Sequence, residues 1–468
     1  MSLKTSEISF KARLHDEIHN DVMRKAVVMA QERIGANRQK MVDELGHWEE
    51  WREQAKQIRE HILQNLDAYL YQLSEKVSQN GGNVYFANTA EDATDYIKKV
   101  AQQKQAKKVV KSKSMVTEEI GLNKVLEAEG IQVIESDLGE YILQLAGDKP
   151  SHIVVPAIHK DRHQIRKVLQ DKLGYQGEAT PEEMTLFIRG KIRQDFLEAD
   201  IGISGCNFAV AETGSVCLVT NEGNLRLATT LPKTHIAVMG MDRLAPTFKE
   251  VDILITLLAR SAVGARLTSY NTWLTGPRLV GETDGPEDFH LVIVDNGRSK
   301  ALGGEFNDIL RCIRCGACLN VCPAYRQIGG HSYGSIYPGP IGSVLSPILG
   351  GYEDFKDLPY ACSLCTACNQ VCPVKIPLAS LLLKHRSKMV ELGITPTLEK
   401  LSVKMFTLAN NHPTLWKVGM NIGAKLSRKM IKNGKAPINI GAVSEWTKAR
   451  DLPSSEGESF RNWFKNRT

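Results

Sequence analysis

Eight of the chain's ten cysteines lie between positions 312 and 372, and they constrain the fold more than any other feature. They form two runs, CIRCGACLNVCP and CSLCTACNQVCP, which are separated by a long insert. In each run the cysteines stand at relative positions one, four, seven and eleven, and proline follows the last one directly. The backbone must therefore curl in the same way twice, around groups that bind several thiolates.

This spacing is the C-x₂-C-x₂-C-x₃-C-P pattern of bacterial iron–sulfur proteins. The first three cysteines of a run can surround one cluster, whereas the fourth, placed before a proline, points toward the other cluster. The spacing therefore predicts two [4Fe–4S] clusters. The predicted ligands are Cys312, Cys315, Cys318 and Cys372 for the first cluster, and Cys362, Cys365, Cys368 and Cys322 for the second.

Two other uses of paired cysteines fit less well. Structural zinc also takes four thiolates, but from separated CxxC or Cys/His pairs. A disulfide framework is typical of small secreted domains. The remaining cysteines, Cys206 and Cys217, lie in an apolar region and are interpreted as small core residues.

Composition indicates an ordinary globular protein of several domains. The chain has 468 residues, of which 42% are hydrophobic and 24% charged. The N-terminal residues show no apolar signal core, and no apolar run reaches the length of a membrane span. We therefore expect a cytoplasmic protein without a transmembrane segment.

The net charge of +6 is unevenly distributed. Between Lys384 and Lys435 there are eleven Lys and Arg residues against Glu391 and Glu399. Such a flank is typical of a solvated helical face, and peripheral contact with an anionic membrane or an acidic protein stays open. No nucleic-acid motif accompanies it, so no nucleic-acid partner is expected.

The pattern of apolar residues predicts four parts. Residues 1–80 form helices, 81–298 an α/β domain with a largely parallel sheet, 299–395 an α-helical cluster domain, and 396–468 a basic helical region with a flexible tail from Asp451. Strands are predicted at the segments NVYFA, KKVVKSKS, GIQVIES, SHIVVPA, GSVCLVT, HIAVMG, VDILIT and LVIVD, and helices include 118–129 and 181–196. The insert 326–361 is rich in Gly, Pro, Ser and Tyr and is predicted to be loop.

Two loops of the α/β part have alternative interpretations. KSKSMVTEEIG is either a helix cap or an anion pocket built from Lys111, Lys113 and the helix N-terminus. AETGSV is either a turn that needs Gly214 or a site that presents Glu212 to a ligand. No GxGxxG, P-loop, HExxH or GxSxG is present, and no residue is assigned a catalytic role.

Together, KSKSMVTEEIG, AETGSV, the two cysteine runs and the SIYPGPIGS insert resemble the lactate-utilization protein B family over nearly the whole chain. The resemblance implies a LUD domain, related in fold to sugar-phosphate isomerases and CoA transferases, followed by an α-helical dicluster ferredoxin domain. It also implies electron transport in the oxidation of L-lactate to pyruvate, with two partner proteins encoded alongside.

Chemistry limits what the chain does alone. Lactate oxidation removes two electrons, whereas an iron–sulfur cluster takes one at a time, and no flavin or nicotinamide motif is present. We therefore expect an electron-transfer subunit rather than a complete enzyme. The alternatives are an acyl- or CoA-transfer enzyme acting through Glu212 with structural or regulatory clusters, and an iron–sulfur subunit for another 2-hydroxy acid. A third alternative is a sensor or scaffold whose clusters detect oxygen.

The two runs also differ in charge. Arg311 and Arg314 flank the first run, whereas Ser363, Leu364 and Thr366 hold the matching places in the second. Because positive charge favours the reduced cluster, the first cluster is predicted to have the higher potential.

Overall fold

A computed structural model describes residues 3–430 and 460–467. The chain divides into two compact units, Met1–Lys388 and Met389–Thr468. Up to the first strand, the helices are α1 (Phe10–Ile18), α2 (Asp21–Leu45), α3 (Trp48–Gln64) and α4 (Leu66–Gln79). They confirm the helical interpretation of residues 1–80. In α2 the side chain of Asn20 caps the start, accepting from the Met23 amide at 3.1 Å, and Met23, Val27 and Ile34 share the buried face.

The α/β part is built on a parallel sheet, as the sequence predicts. Its strands occur in the order β1-β10-β7-β4-β2-β3, and all neighbouring pairs are parallel. They are β1 (Asn83–Ala87), β2 (Lys108–Lys111), β3 (Gln132–Glu135), β4 (Ile201–Ser204), β7 (Thr234–Gly240) and β10 (Asp288–Val294). Successive residues of β7 enter different cores, Ile236 and Val238 on one face and Ala237 and Met239 on the other. This sheet is therefore covered on both faces, which explains its continuous apolar strands.

A smaller sheet has the order β8-β5-β6-β9. Its strands are β5 (Phe208–Val210), β6 (Ser215–Thr220), β8 (Leu244–Ala245) and β9 (Tyr270–Leu274). The GSVCLVT strand belongs here and pairs antiparallel with both β5 and β9.

Helices connect and cover the sheets. They are α5 (Ala90–Gln103), α6 (Met115–Glu119), α7 (Leu122–Ala128), α8 (Leu138–Ala146), α9 (Arg162–Leu173), α10 (Pro181–Glu198), α11 (Asn224–Thr230), α12 (Phe248–Ala262) and α13 (Arg298–Leu302). The helix predicted over 118–129 is instead two helices, because Gly121 adopts φ +69° between α6 and α7.

The strand predicted at VDILIT is wrong, since this segment lies inside α12. Thr247 and Glu250 form a capping box at the start of the helix, and the helix runs on to Ala262. Val251, Leu254, Ile255, Leu257 and Leu258 are all buried. A helix covered on most sides has a continuous apolar sequence, which periodicity cannot distinguish from a buried strand.

The strand predicted at SHIVVPA is also wrong. The ring nitrogen Nδ1 of His152 accepts the amides of Val154 and Val155 at 3.0 and 3.1 Å, and the amide of Ser151 donates to the Pro156 carbonyl. These bonds satisfy the backbone locally and fold the segment into turns, so no ladder forms.

The insert between the cysteine runs is more ordered than predicted. It contains α16 (Gly339–Gly350) despite its glycines and prolines, and residues 339–347 of this helix are all buried. Pro340 lies in the first turn, where no amide partner is needed. The other helices of the cluster domain, inside and outside the insert, are α14 (Ala317–Asn320), α15 (Pro323–Ile328), α17 (Tyr352–Phe355), α18 (Ala367–Val371) and α19 (Leu378–Glu391).

In the C-terminal unit, α20 (Thr397–Asn411) and α21 (Pro413–Met430) are followed by a short helix, Phe460–Lys465. Their exposed side chains include Leu401, Phe406 and Ile422. Residues 431–459, which hold part of the basic flank and the first half of the predicted flexible tail, lie outside the described residues. Within the described ranges, no helix combines the length and apolarity needed to cross a bilayer.

Candidate functional site

The two cysteine runs share one backbone conformation. Arg314 and Gly316 in the first run have φ of 59° and 76°, and their counterparts Leu364 and Thr366 in the second have 57° and 62°. Left-handed backbone at a non-glycine residue is uncommon, so its repetition at equivalent positions shows that both runs form the same curled loop. A short helix follows each loop and places the fourth cysteine beyond it.

The cysteines fall into two groups of four. In the first group, burial and, to a smaller extent, the negative charge of Cys312 raise the pKa of the Cys372 thiol to about 11. The pKa of the Cys318 thiol is raised by burial and then by the charges of Cys312, Cys315, Cys368 and Cys372. Cys372 therefore lies beside the first run although it belongs to the second.

The second group likewise combines three cysteines of the second run with the fourth cysteine of the first run. Burial raises the pKa of Cys322 to about 11, and the charges of Cys362 and Cys365 add to this effect. Burial also raises the pKa of Cys368 to about 12, with contributions from Cys322, Cys362 and Cys365. The fourth cysteine of each run thus faces the first three of the other run.

Backbone amides point at the sulfur atoms. The amides of Arg314 and Leu364 each donate to a cysteine Sγ two residues earlier at 3.3 Å. The amide of Ile376 donates to Cys372 Sγ at 3.3 Å. Such donors stabilise negative charge on thiolates, and hydrogen bonds to the sulfurs are one determinant of cluster potential. The thiols, their grouping and these amides fit iron–sulfur clusters.

Side chains of the N-terminal helices donate hydrogen bonds to backbone carbonyls of both cysteine runs. Arg52 of α3 donates to the carbonyls of Cys372 and Asn369 at 2.8 and 2.9 Å. Gln31 of α2 donates to the Leu319 carbonyl at 2.8 Å. A helical segment that looks unspecific in sequence therefore supports the walls of the site.

Arg59 of α3 is a further support that the sequence interpretation missed. Its guanidinium is fully buried and donates to the backbone carbonyls of Leu244, Asp242, Leu310 and Arg311. It joins the N-terminal helices, the α/β part and the segment that leads into the first cysteine run. In the sequence it is one arginine among many on a charged helix, so no local signal marks it.

The charges beside the two runs differ less than their sequences indicate. Arg311 is neutralised by Glu60 at 2.6 Å and Asp308 at 3.0 Å, whereas Arg314 lies over the Tyr337 ring at 4.9 Å. In the second run, Arg386 of α19 donates to the Cys362 carbonyl at 2.9 Å. Tertiary structure therefore supplies an arginine to the run that lacks one, and the predicted ranking of the two potentials loses its basis.

The two loops singled out in the sequence have different outcomes. Lys111 is buried and pairs with Glu135 and Glu118 at 2.9 and 3.1 Å, so it is not available to an anion. Glu212 is exposed, and Gly214 beside it has φ +73° with backbone of α4 close by. The turn interpretation of AETGSV is therefore the better one.

Around Lys111, the three carboxylates of Glu118, Glu135 and Glu140 lie within 4.8 Å of one another. Glu140 makes no ion pair with Lys111 and has a buried, unpaired Oε1 atom. Burial first, and then the charge of Glu135, raises the pKa of Glu140 to about 8. One ammonium group cannot neutralise three carboxylates of which two are buried, so Glu140 holds a proton at neutral pH.

We expect Glu140→Gln to stabilise the protein at alkaline pH. Because the pKa of Glu140 is raised on folding, wild-type stability falls as pH rises from about 4.5 to about 8, and the variant lacks this loss. Above pH 8 the gain should be on the order of a few kcal/mol. Thermal unfolding of both proteins at pH 5.5 and 8.5 measures the gain in stability. If Glu140→Gln gains no stability over the wild type between pH 5.5 and 8.5, Glu140 does not hold the proton assigned to it. Glu127→Gln on the exposed side of α7 is the control.

Comparison with known proteins agrees with this organisation. The LUD domain family matches residues 70–294, the 4Fe-4S dicluster domain 308–376, and the lactate utilisation protein B C-terminal family 384–468. The fold and the cysteine site thus define an iron–sulfur protein with a LUD domain and a dicluster domain.

Whole-chain relatives specify the family. The chain is 73% identical to "Uncharacterized electron transport protein YkgF" of Escherichia coli K12, over 99% of this chain and 98% of that protein. It is 57% identical to "Lactate utilization protein B" of Bacillus licheniformis, over 100% of this chain and 98% of that protein. The chain belongs to the lactate utilization protein B family. Among solved structures, a DUF162 family protein from Deinococcus radiodurans is similar over 49% of this chain and 98% of its own, with 16% identity and a TM-score of 0.28.

Proposed function

We propose that this chain is the electron-transfer subunit of a cytoplasmic system that oxidises L-lactate to pyruvate, and that it holds two [4Fe–4S] clusters. The observation that carries the proposal is the grouping of eight cysteines into two sets of four, each completed by a cysteine from the other run. Cys312, Cys315, Cys318 and Cys372 would hold the first cluster, and Cys362, Cys365, Cys368 and Cys322 the second. When bound, each cluster supplies one-electron transfer.

The surroundings of the two groups support a direction for the relay. Cys315 of the first group is buried, whereas Cys365 of the second is exposed. Because electron transfer between proteins requires close approach, the second group is the side that a partner protein would reach. Ile313 and Arg314 of the first run line a cavity together with residues of the α/β part.

The division of labour follows from chemistry. Removing a hydride or its equivalent from lactate requires a two-electron acceptor, and no such site is assigned to this chain. We place that step on one of two co-encoded partner proteins. In this view the four sequence regions act as a helical support, a LUD domain, a cluster domain and a basic segment for a partner or a membrane surface.

Growth on lactate tests the proposal against a transferase acting through Glu212. A strain lacking this protein is complemented with wild type, Cys315→Ser or Glu212→Gln, and protein amounts are checked by immunoblotting. We expect Cys315→Ser to abolish growth on L-lactate and Glu212→Gln to grow normally, because Glu212 is exposed on a turn. Growth of the cysteine variant together with failure of the glutamate variant would overturn the electron-transfer function.

The charge of Arg314 should appear in one reduction potential. Arg314→Ala removes the positive side chain of a residue whose backbone amide, which the variant keeps, donates to Cys312 Sγ. Because positive charge favours the reduced cluster, one midpoint should fall by about 60 mV, equivalent to a tenfold change in a one-electron equilibrium. An EPR-monitored titration of the anaerobic protein measures this. Arg278→Ala, at an exposed ion pair with Glu287, is the control; two unchanged midpoints in Arg314→Ala would refute the effect.

A further inference from the structure

A cavity of about 660 Å³ lies at the carboxyl ends of the parallel strands. Ser112 follows β2, Asp137 follows β3, Gly205 follows β4, and Gly240 ends β7, and all four residues line the cavity. Ligands of open α/β sheets bind at this edge. The volume is in the range of pockets that hold drug-sized organic molecules.

One end of the cavity has an excess of positive charge. Arg243, Arg298 and Arg314 line this end and, together with the buried Arg59 outside the lining, act electrostatically on the single carboxylate of Asp242. Asp242 contacts Arg298 at 3.0 Å and Arg243 at 3.5 Å.

Glu119 supplies the second carboxylate of this end. It accepts two hydrogen bonds from Arg298, at 2.8 and 2.9 Å, and therefore neutralises that arginine. Four guanidinium groups meet two carboxylates, and the Cys312 thiolate is the third negative group that acts on them, which leaves one positive charge in a buried region. Buried charge without a partner is costly, so the arrangement favours an added anion.

Buried polar atoms at this end lack partners. Arg243 is 7% exposed, and its guanidinium has only the long contact with Asp242 among the described residues. Ser112 is 2% exposed, and its Oγ has no partner; Arg314 Nη1 has none either. Most buried polar groups are hydrogen-bonded, so unused donors on three residues that line the cavity point to a ligand that accepts hydrogen bonds.

The rest of the wall is mainly apolar. Ile142, Ile153, Leu258 and Ala262 line it, whereas Lys113, Asp137 and Glu222 add charged groups of both signs. A three-carbon acid would fill only a small part of this volume. The shape and lining therefore suit an anion that carries a larger apolar or aromatic body.

We propose that this cavity binds an organic anion, with its acidic group between Arg243 and Arg314 and its body on the apolar wall. Arg314 also donates its amide to Cys312 Sγ, and the charge of Cys312 acts on both arginines. If the first cluster is held as in the proposed function, anion binding lowers its potential, and reduction weakens anion binding by the same factor.

Calorimetry on the anaerobically purified holoprotein tests the site with three probes that are not redox-active under these conditions. They are 2-naphthoate, its neutral analogue 2-naphthamide, and L-lactate. We expect 2-naphthoate to bind at least tenfold more tightly than 2-naphthamide. Arg243→Gln should abolish this preference, Arg243→Lys should retain part of it, and the exposed control Arg278→Gln should leave it unchanged.

The two acids distinguish a ligand with a large apolar body from a small hydroxy acid. L-lactate binding that depends on Arg243, without 2-naphthoate binding, overturns the proposed larger apolar ligand and leaves a site for a small hydroxy acid. Absence of binding for both acids, or binding insensitive to Arg243→Gln, overturns the proposal.

Two further measurements protect the result. Ser112→Ala removes an unpaired hydroxyl and leaves the packing unchanged, so it tests the site if Arg243→Gln fails to fold. We expect Ser112→Ala to bind 2-naphthoate about threefold more weakly. An unchanged affinity for 2-naphthoate counts against the site. Redox titration with and without 2-naphthoate then tests the coupling. Binding without any shift in potential refutes only the proposed link to the first cluster, because the calorimetry depends on the cavity alone.

Discussion

Cys372→Ser and Cys315→Ser are expected to remove the same cluster, although 57 residues separate the two positions. Each single variant should retain about half of the wild-type iron, because each loses one ligand of one four-thiolate set. The double variant Cys315→Ser/Cys372→Ser should retain the same amount as either single variant. In contrast, Cys372→Ser combined with Cys365→Ser should lose nearly all iron.

The reason is that the fourth cysteine of each run faces the other run. Two substitutions within one set act on one unit and are not additive, whereas substitutions in different sets are independent. Iron and sulfide analysis, with EPR of the reduced protein, measures both quantities. Cys206→Ser, outside both groups, is the control and should keep full iron content.

A different pairing would give the opposite pattern. If Cys372 served the cluster of its own run, Cys372→Ser/Cys365→Ser would retain half the iron and Cys372→Ser/Cys315→Ser would lose nearly all. The experiment therefore distinguishes crossed from uncrossed ligation without a crystal structure.

Arg59→Met should destabilise the protein by about 3–5 kcal/mol. The substitution keeps most of the side-chain volume but removes the donors of four backbone carbonyls, which become unsatisfied in the interior. Burial lowers the pKa of Arg59 to about 10, so the group remains charged and hydrogen-bonded at neutral pH. The expected observation is a lower melting midpoint, with cluster absorbance lost at a lower temperature than in the wild-type protein.

The matched control is Arg33→Met on α2, since Arg33 is exposed. It should change the melting midpoint little. Equal melting midpoints for the two variants would mean that Arg59 does not hold the segments together. Cluster absorbance should fall together with helicity in Arg59→Met, because this arginine binds the segment that leads into the first cysteine run.

Comparison of the sequence with the structure shows where sequence patterns carry information. The parallel sheet was predictable because β7 and β10 are short β-branched runs between helices. VDILIT was mispredicted because a helix buried on most sides has the same apolar composition as a buried strand. SHIVVPA was mispredicted because His152 bonds its own backbone, an event that depends on side-chain conformation rather than on apolar pattern.

The candidate site shows the same division. Its thiols could be read from the sequence because a cluster requires ligands at short, regular spacings, which are local. The supports could not, since Arg52, Arg59 and Gln31 reach carbonyls roughly 180 to 320 residues away. The comparison of charge beside the two runs likewise failed, because Arg386 comes from a later helix.

By itself, the sequence determined the eight cysteines, their repeated spacing, the α/β class and the family. Local ligand spacing and the periodicity of apolar residues are properties of neighbouring positions, so they can be recognised in the sequence without the tertiary structure. Only the tertiary structure decided which arginines face the first run, that Lys111 is closely paired whereas Arg243 has one long contact with Asp242, and that a cavity opens beside Arg314. These features depend on distances between segments far apart in the chain, and they were fixed only when the N-terminal helices, the sheet edge and the two cysteine runs packed together.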